Sequence, residues 1–352
     1  MIGQLDLWRS QILKWTMKLN FFRQLVLSRP RRILFLSLLA LVLYLGVSLF
    51  YPLWLLLLGP ILWGVPHLIA SLRYNVKASF AMSQVKKVII LQTAIWLCVF
   101  AYRLAIDHFH QTLFWSEVPL LFEGCSLVFA FIAQAFLLKR FSLMMYFYFF
   151  LYSVLILMTF YQPVSTALFL LIGHNYVPLI AWYKSCQTKK DFQVFSLISV
   201  SYIGLSLILI TGGFQFLYAY LTPQSSIAFL NWNFADITDP YGAQIADSAF
   251  WFRVVSLYAF SQSFHYFLWL KAIPENGQSQ QFPPSFKSSF GRLSSDFGAG
   301  SLYVMVVLIL AGLAYWLFFE FQVARVIYFA VASYHGFMEF SMLPFLKSKL
   351  RL

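Results

Sequence analysis

The sequence has few charged residues and very few acidic ones. Only 11% of its 352 residues are charged, and Asp and Glu together number 12. A soluble chain has about 25% charged residues and about 45–50% apolar ones. Here 61% of the residues are hydrophobic and 20% are aromatic, which is more apolar surface than one water-surrounded core can hide. The composition excludes a disordered chain and a soluble nucleic-acid-binding module, and it favours a protein that has lipid as its solvent.

Cysteine is also scarce. Cys98, Cys125 and Cys186 lie in or beside apolar stretches, and they form no CxxC pair. This excludes a disulfide framework and a cysteine-ligated zinc motif. The sequence also lacks a P-loop and a GxGxxG motif, so no nucleotide-binding signature is present.

Long apolar stretches fill most of the chain. A helix that spans a bilayer needs about 20 apolar residues, and the stretches do not alternate as the strands of a membrane barrel do. We predict an all-α, polytopic transmembrane bundle of about ten helices, forming a single domain over residues 31–346. The predicted helices are 33–50, 52–71, 87–106, 118–138, 142–160, 164–184, 192–211, 247–270, 300–319 and 323–345.

The distribution of basic residues predicts the topology. The chain has 25 Lys and Arg and a formal net charge of +13. With the N-terminus inside and ten crossings, all of them except Arg103, Arg253 and Arg325 fall on one side. Basic residues concentrate on the cytoplasmic side of membrane proteins. Both termini are therefore predicted to be cytoplasmic, in what we expect to be a bacterial inner membrane. Residues 271–299, rich in Ser, Gln, Gly and Pro, are predicted to be a flexible cytoplasmic loop.

The first thirty residues differ from the apolar windows. They are predicted to form an amphipathic helix that lies in the plane of the membrane interface; a helix packed on the protein's own cytosolic loops is the alternative. The apolar face carries Leu5, Trp8, Ile12, Trp15 and Leu19, and the polar face carries Asp6, Ser10 and Lys14.

Four histidines lie inside predicted membrane helices: His67, His174, His265 and His335. With 1.5 Å of rise per residue, their depths differ by only about 10 Å, in the inner half of the bilayer. Ionisable residues at membrane depth are costly and usually functional, and neutral imidazole is a common metal ligand. We therefore predict one shared metal site, with iron as the metal and zinc or copper as alternatives.

Residues near these histidines are candidates for supporting roles. Ser261 and Glu339 lie four residues from His265 and His335, and are thus on the same helix faces; Asn175 follows His174. A carboxylate or a polar side chain there can orient a ligand histidine. Glu339, Tyr334 and Tyr266 are the candidate catalytic residues.

These motifs resemble those of the Brp/Blh family of membrane beta-carotene-cleaving dioxygenases. The matching stretches are Gly64-Val65-Pro66-His67, Ile172-Gly173-His174, His265-Tyr266 with Trp269 nearby, and His335-Gly336-Phe337-Met338-Glu339. The resemblance implies an all-helical membrane enzyme in which histidines hold iron and dioxygen cleaves or oxidises a lipophilic polyene. Two positions depart from the family's pattern. The family has an acidic residue at the position of Ser71, and it has a second histidine, four residues before His265, at the position of Ser261.

The predicted function is accordingly that of an iron oxygenase acting on a carotenoid or another lipophilic substrate. Its predicted partners are the lipid bilayer, a hydrophobic small molecule and dioxygen. A proton- or ion-coupled transporter that uses the His and Glu residues is one alternative. A membrane cytochrome with bis-histidine haem is another, and a structural protein whose histidines only bond to the backbone is a third.

Overall fold

The computed structural model describes residues 2–64, 66–71, 161–219 and 248–276 continuously, and single residues or short stretches elsewhere, among them His335, Gly336 and Glu339. The described residues are almost entirely helical, which confirms the predicted all-α class. The predicted helix 118–138 lies wholly outside the described residues, and so do most of 300–319 and 323–345.

Nine α-helices and one short ladder have complete bounds. The helices are α1 (Ile2–Thr16), α2 (Asn20–Leu27), α3 (Arg29–Phe50), α4 (Pro52–Gly59), α5 (Pro163–Gly173), α6 (Val177–Ser185), α7 (Lys189–Ile210), α8 (Ser248–Phe267) and α9 (Ile273–Asn276). Strands β1 (Ser226–Ile227) and β2 (Trp232–Asn233) pair antiparallel.

Within the described residues, α3 and α7 are long and apolar enough to cross a membrane. Both helices begin a few residues before the predicted ranges 33–50 and 192–211, because the polar residues that precede each apolar stretch are also helical. At α7 the reason is a capping box: Thr188 accepts from the Asp191 backbone, and the Asp191 side chain accepts from the Thr188 backbone. The two bonds satisfy amide groups that have no partner within the helix.

Proline interrupts two of the predicted helices and lies just beyond the end of a third. A proline has no N–H and its ring collides with the carbonyl four residues earlier. Pro66 and Pro274 follow π-helical turns at Pro60–Gly64 and Leu268–Ala272, and Pro178 follows a 3-10 turn at His174–Tyr176. In each case the residue four positions before the proline lies in the irregular turn. The predicted helices 52–71 and 164–184 are therefore each broken into shorter pieces, whereas the α-helix of the predicted range 247–270 runs unbroken to Phe267 and continues into the π-helical turn.

Helix α8 forms the centre of the fold. It packs against α3, α4 and α7, and Phe260 and Phe264 on it are completely buried. Tyr202 of α7 packs its ring on both phenylalanines, at centroid distances of 5.6 and 4.6 Å. Aromatic burial of this extent fixes the position of α8, and α8 carries His265.

Two sequence predictions are corrected by the structure. The prediction of a flexible loop from residue 271 is wrong for residues 271–276, which are helical; Ala272 and Ile273 are completely buried. The buried ion pair of Glu275 with Arg32 of α3 holds this segment in place. In addition, the N-terminal segment consists of two helices, α1 and α2, because the chain turns at Met17–Leu19.

Candidate metal centre

Three histidines from distant parts of the chain meet in the interior. Nε2 of His67 lies 3.2 Å from Nε2 of His335, and Nε2 of His265 lies 3.3 Å from the same atom. All three side chains are buried, and their candidate ligand atoms lie within 4.8 Å of one another. The structure thus brings together three of the four histidines that are predicted from the sequence to bind a metal.

The spacing of these nitrogens suits a shared cation. For metal–nitrogen bonds of about 2.0–2.1 Å, neighbouring ligands are about 2.9 Å apart in an octahedron and about 3.3 Å apart in a tetrahedron. The two measured distances fall in this range. A neutral imidazole nitrogen has either one hydrogen or one lone pair, so Nε2 of His335 cannot form proper hydrogen bonds with both histidines and a carboxylate at once.

Glu339 supplies that carboxylate. Its Oε1 lies 2.8 Å from Nε2 of His335 and 3.9 Å from Nε2 of His265. The side chain is buried, and within the described residues its ion pairs are with these histidines and not with a lysine or arginine. A buried carboxylate is expensive without a compensating positive charge. A cation among the three nitrogens would provide one.

Ser71 fixes the orientation of Glu339. Its hydroxyl donates a hydrogen bond of 3.0 Å to Oε1, and the serine is completely buried. Ser71 follows His67 by four residues, so one helix face presents a ligand candidate and the group that orients the carboxylate. In the sequence, Ser71 is identified only as the position at which the Brp/Blh pattern has an acidic residue. Its spacing of four residues from His67 is also visible there and could have indicated a role at the site.

The irregular turns lie beside the histidines. The π-helical turn Pro60–Gly64 ends three residues before His67, and the turn Leu268–Ala272 begins three residues after His265. Such turns occur often at functional sites because they redirect side chains and free backbone groups. The Nδ1 atoms of His67 and His265 are buried, and within the described residues neither has a hydrogen-bond partner.

Tyr266 packs directly on His67. The two ring centroids are 4.4 Å apart, and the tyrosine is buried. Gly59 makes room for it, since a Cβ at position 59 would lie 3.2 Å from Cε2 of Tyr266. Tyr266 thereby positions a ligand candidate. Tyr334, the other tyrosine nominated by the sequence, lies outside the described residues.

His174 lies at the edge of the cluster. Its ring centroid is 5.2 Å from that of His265, and a Cβ built on Gly336 would lie 3.8 Å from Cγ and Cδ2 of the His174 ring. It is not one of the three histidines whose ligand atoms converge. Its role as a fourth ligand stays a prediction.

Asn175 and Ser261 form a buried bridge next to the cluster. Nδ2 of Asn175 donates to Oγ of Ser261 at 2.9 Å, and the Tyr202 hydroxyl donates to the Ser261 carbonyl at 3.2 Å. These bonds join the turn after α5 to α8 and α7, the helices that hold His265 in place. These bonds connect Asn175, Ser261 and Tyr202 with one another and not with the converging nitrogens.

The comparisons with known proteins add no relative: no family model, curated protein or solved structure matches the chain.

Proposed function

We propose that this protein is an integral membrane oxygenase that holds iron between His67, His265 and His335, with Glu339 as a further ligand. Its substrate is a lipophilic molecule such as a carotenoid or another polyene, and dioxygen is the second substrate. The single observation that carries the proposal is the convergence of three buried imidazoles, one of which, His335, contacts a buried carboxylate oxygen at 2.8 Å.

The donor set favours a transition metal, and we propose iron. Imidazole nitrogens suit iron, zinc and copper, and a set of histidines with one carboxylate is typical of non-haem iron oxygenases. The resemblance to the Brp/Blh family points to the same metal. Iron bound there would supply the activation of dioxygen; the protein's part is to position the substrate and exclude water. The burial of all four side chains meets the second requirement.

The membrane location is part of the proposal. Helices α3 and α7 expose apolar side chains such as Val42 and Val200 and bury polar ones such as Ser37 and Ser206. This arrangement suits a helix whose outer face contacts lipid. We propose ten crossings with both termini cytoplasmic, in a bacterial inner membrane, and entry of the substrate sideways from the lipid.

The nitrogen distances speak against bis-histidine haem. The two axial ligands of a haem lie on opposite sides of the iron, about 4 Å apart for metal–nitrogen bonds of about 2.0 Å. The pairs that His335 forms with His67 and with His265, at 3.2 and 3.3 Å, are closer than that. These two pairs suit ligands on the same side of a metal better than they suit ligands across a porphyrin.

A proton relay is the second candidate function. It is favoured by the 2.8 Å contact between His335 and Glu339, which is a charge-assisted hydrogen bond if the imidazole is protonated. Buried His and Glu residues form such relays in membrane pumps. In this case the cluster would exchange protons and bind no metal.

The test is metal analysis and turnover on the full-length protein, purified from membranes in mild detergent. We expect about one iron per chain, no Soret band, and oxygen-dependent conversion of beta-carotene to cleaved or oxidised products. The His335→Ala variant should lose both iron and activity. The His108→Ala variant, which removes a histidine outside the predicted membrane helices, should keep both.

Other results would contradict the proposal in distinguishable ways. A Soret band would indicate a cytochrome, and stoichiometric zinc without oxygen consumption would indicate a non-redox site. Absence of any metal, together with His335-dependent proton movement in vesicles, would indicate the relay.

A further inference from the structure

Helix α1 has three distinct sides. The side that faces the protein carries half-buried residues, including Asp6, Ser10 and Leu13. Oδ2 of Asp6 accepts a 3.0 Å hydrogen bond from the backbone N–H of Lys287. This contact fixes the rotation of α1, so the side chains on its other two sides point away from the part of the protein that the structure describes.

The second side is an exposed apolar stripe, formed by residues spaced three and four apart. Its members are Leu5, Trp8, Ile12 and Trp15, which are 38%, 67%, 62% and 73% exposed. The third side is exposed and carries three polar residues, Gln4, Gln11 and Lys14, together with Leu7, which is 63% exposed. A contiguous apolar patch with two exposed tryptophans marks an interaction surface. Because the described part of the protein packs on a different side, the stripe is left for another occupant.

The charge beside the stripe identifies the chemistry of that occupant. The basic residues of α1 and α2 and the turn between them are Arg9, Lys14, Lys18 and Arg23, against the single acid Asp6. Nζ of Lys18 lies 5.0 Å from the centre of the Trp15 ring. Tryptophan prefers the boundary between headgroups and acyl chains, and lysine beside it suits anionic headgroups.

The short connection between α1 and α3 determines the position of α1 relative to the membrane surface. Only α2 and Ser28 separate the turn that follows α1 from Arg29, the first residue of α3. Since α3 has the length and composition of a membrane span, α1 must lie near one end of it, at the height of the membrane surface.

We propose that the stripe Leu5–Trp8–Ile12–Trp15 of α1 inserts into the headgroup–acyl boundary of an anionic lipid leaflet. Helix α1 then lies parallel to the membrane, with Lys14 at headgroup level and Asp6 turned to the protein. The inference rests on the membrane location proposed above and not on the metal.

The experiment places one probe on each relevant surface of the full chain. The native cysteines are replaced by serine, and a single cysteine is introduced as Ile12→Cys, Lys14→Cys or Val42→Cys. Each is labelled with an environment-sensitive fluorophore. The protein is reconstituted in vesicles of phosphatidylcholine with or without phosphatidylglycerol. Quenching is measured with nitroxide lipids and with aqueous iodide.

We expect nitroxide near the top of the acyl chain to quench the Ile12 probe several-fold more than the Lys14 probe, and iodide to show the reverse order. Adding Lys14→Gln and Lys18→Gln to the Ile12 variant should reduce its quenching in phosphatidylglycerol vesicles to the level in phosphatidylcholine alone.

The Val42 probe separates two kinds of failure. If nitroxide lipids do not quench it, α3 is not in the membrane and the proposed location fails. If Val42 is quenched and Ile12 is open to iodide, the stripe lies in water and only the present inference fails. An Ile12 probe shielded from both quenchers would mean that protein, such as a second copy of the chain, covers the stripe, and this also overturns the inference.

Discussion

The Ser71 hydroxyl donates a 3.0 Å hydrogen bond to Oε1 of Glu339, a residue 268 positions away in the chain. The same oxygen lies 2.8 Å from Nε2 of His335. One serine therefore determines where the carboxylate stands relative to the histidines. This relationship leads to the first prediction.

Replacing Ser71 by alanine should weaken metal binding without abolishing it. Loss of a group that orients a ligand typically lowers metal affinity about 10–100-fold. Iron affinity is measured by competition with a chelator, with Glu339→Gln as the more severe comparison. Equal affinity in Ser71→Ala and the unaltered protein would show that Glu339 needs no help from Ser71.

The four histidines should not be equivalent. Because the Nε2 atoms of His67, His265 and His335 converge, replacing any one of them by alanine should remove most of the metal. His174 packs at the edge of the cluster, so His174→Ala should retain more. Metal content per chain after identical loading is the measurement, and equal loss in all four variants would make His174 a full ligand.

Gly59→Ala should disturb the site through Tyr266. The added Cβ would lie 3.2 Å from the Tyr266 ring, which in turn packs 4.4 Å from the His67 ring. We expect a lower metal affinity because the His67 imidazole is displaced. Gly46→Ala is the matched control, since nothing lies within 4 Å of a Cβ at that helical position. Equal affinities in the two variants would contradict the proposed packing role.

Glu275→Gln should destabilise the fold strongly. The carboxylate pairs with Arg32, and both side chains are less than a tenth exposed. Breaking a buried ion pair typically costs about 3–5 kcal/mol because the remaining charge loses its counter-ion. Thermal unfolding in detergent should show a lower Tm. Lys271→Gln, which removes the more exposed partner of Glu275, should shift the Tm far less.

Cys186 should react slowly with alkylating reagents. Burial raises the pKa of its thiol from 9.0 to about 11, although the hydrogen bond from Asn276 lowers it. The thiolate is the reactive form, so at pH 8 the rate should be about a hundredfold below that of a thiol with a pKa of 9. Because the folded-state pKa is raised, the rate should keep rising up to about pH 11. Iodoacetamide labelling of a variant with Cys186 as its only cysteine measures this profile; a plateau near pH 9 would contradict it.

The sequence indicated the residues of the site better than their arrangement. His67, His265, His335 and Glu339 were all nominated from their depth in apolar segments and their spacing along a helix. The role of Ser71 was missed because it depends on a partner in a distant helix. The ranges 52–71 and 164–184 were predicted as continuous helices, although Pro66 and Pro178 lie within them.

Composition and periodicity by themselves determined the all-α class, the apolar segments and the short list of ionisable groups within them. These are local properties, set by side-chain hydrophobicity and the backbone hydrogen bonding of each segment. Only the tertiary structure decided that three histidines meet, that His174 stands beside them and that Ser71 holds Glu339. The rotation and crossing of helices depend on packing between residues far apart in the chain, such as Tyr202 against Phe264, and no single segment encodes them.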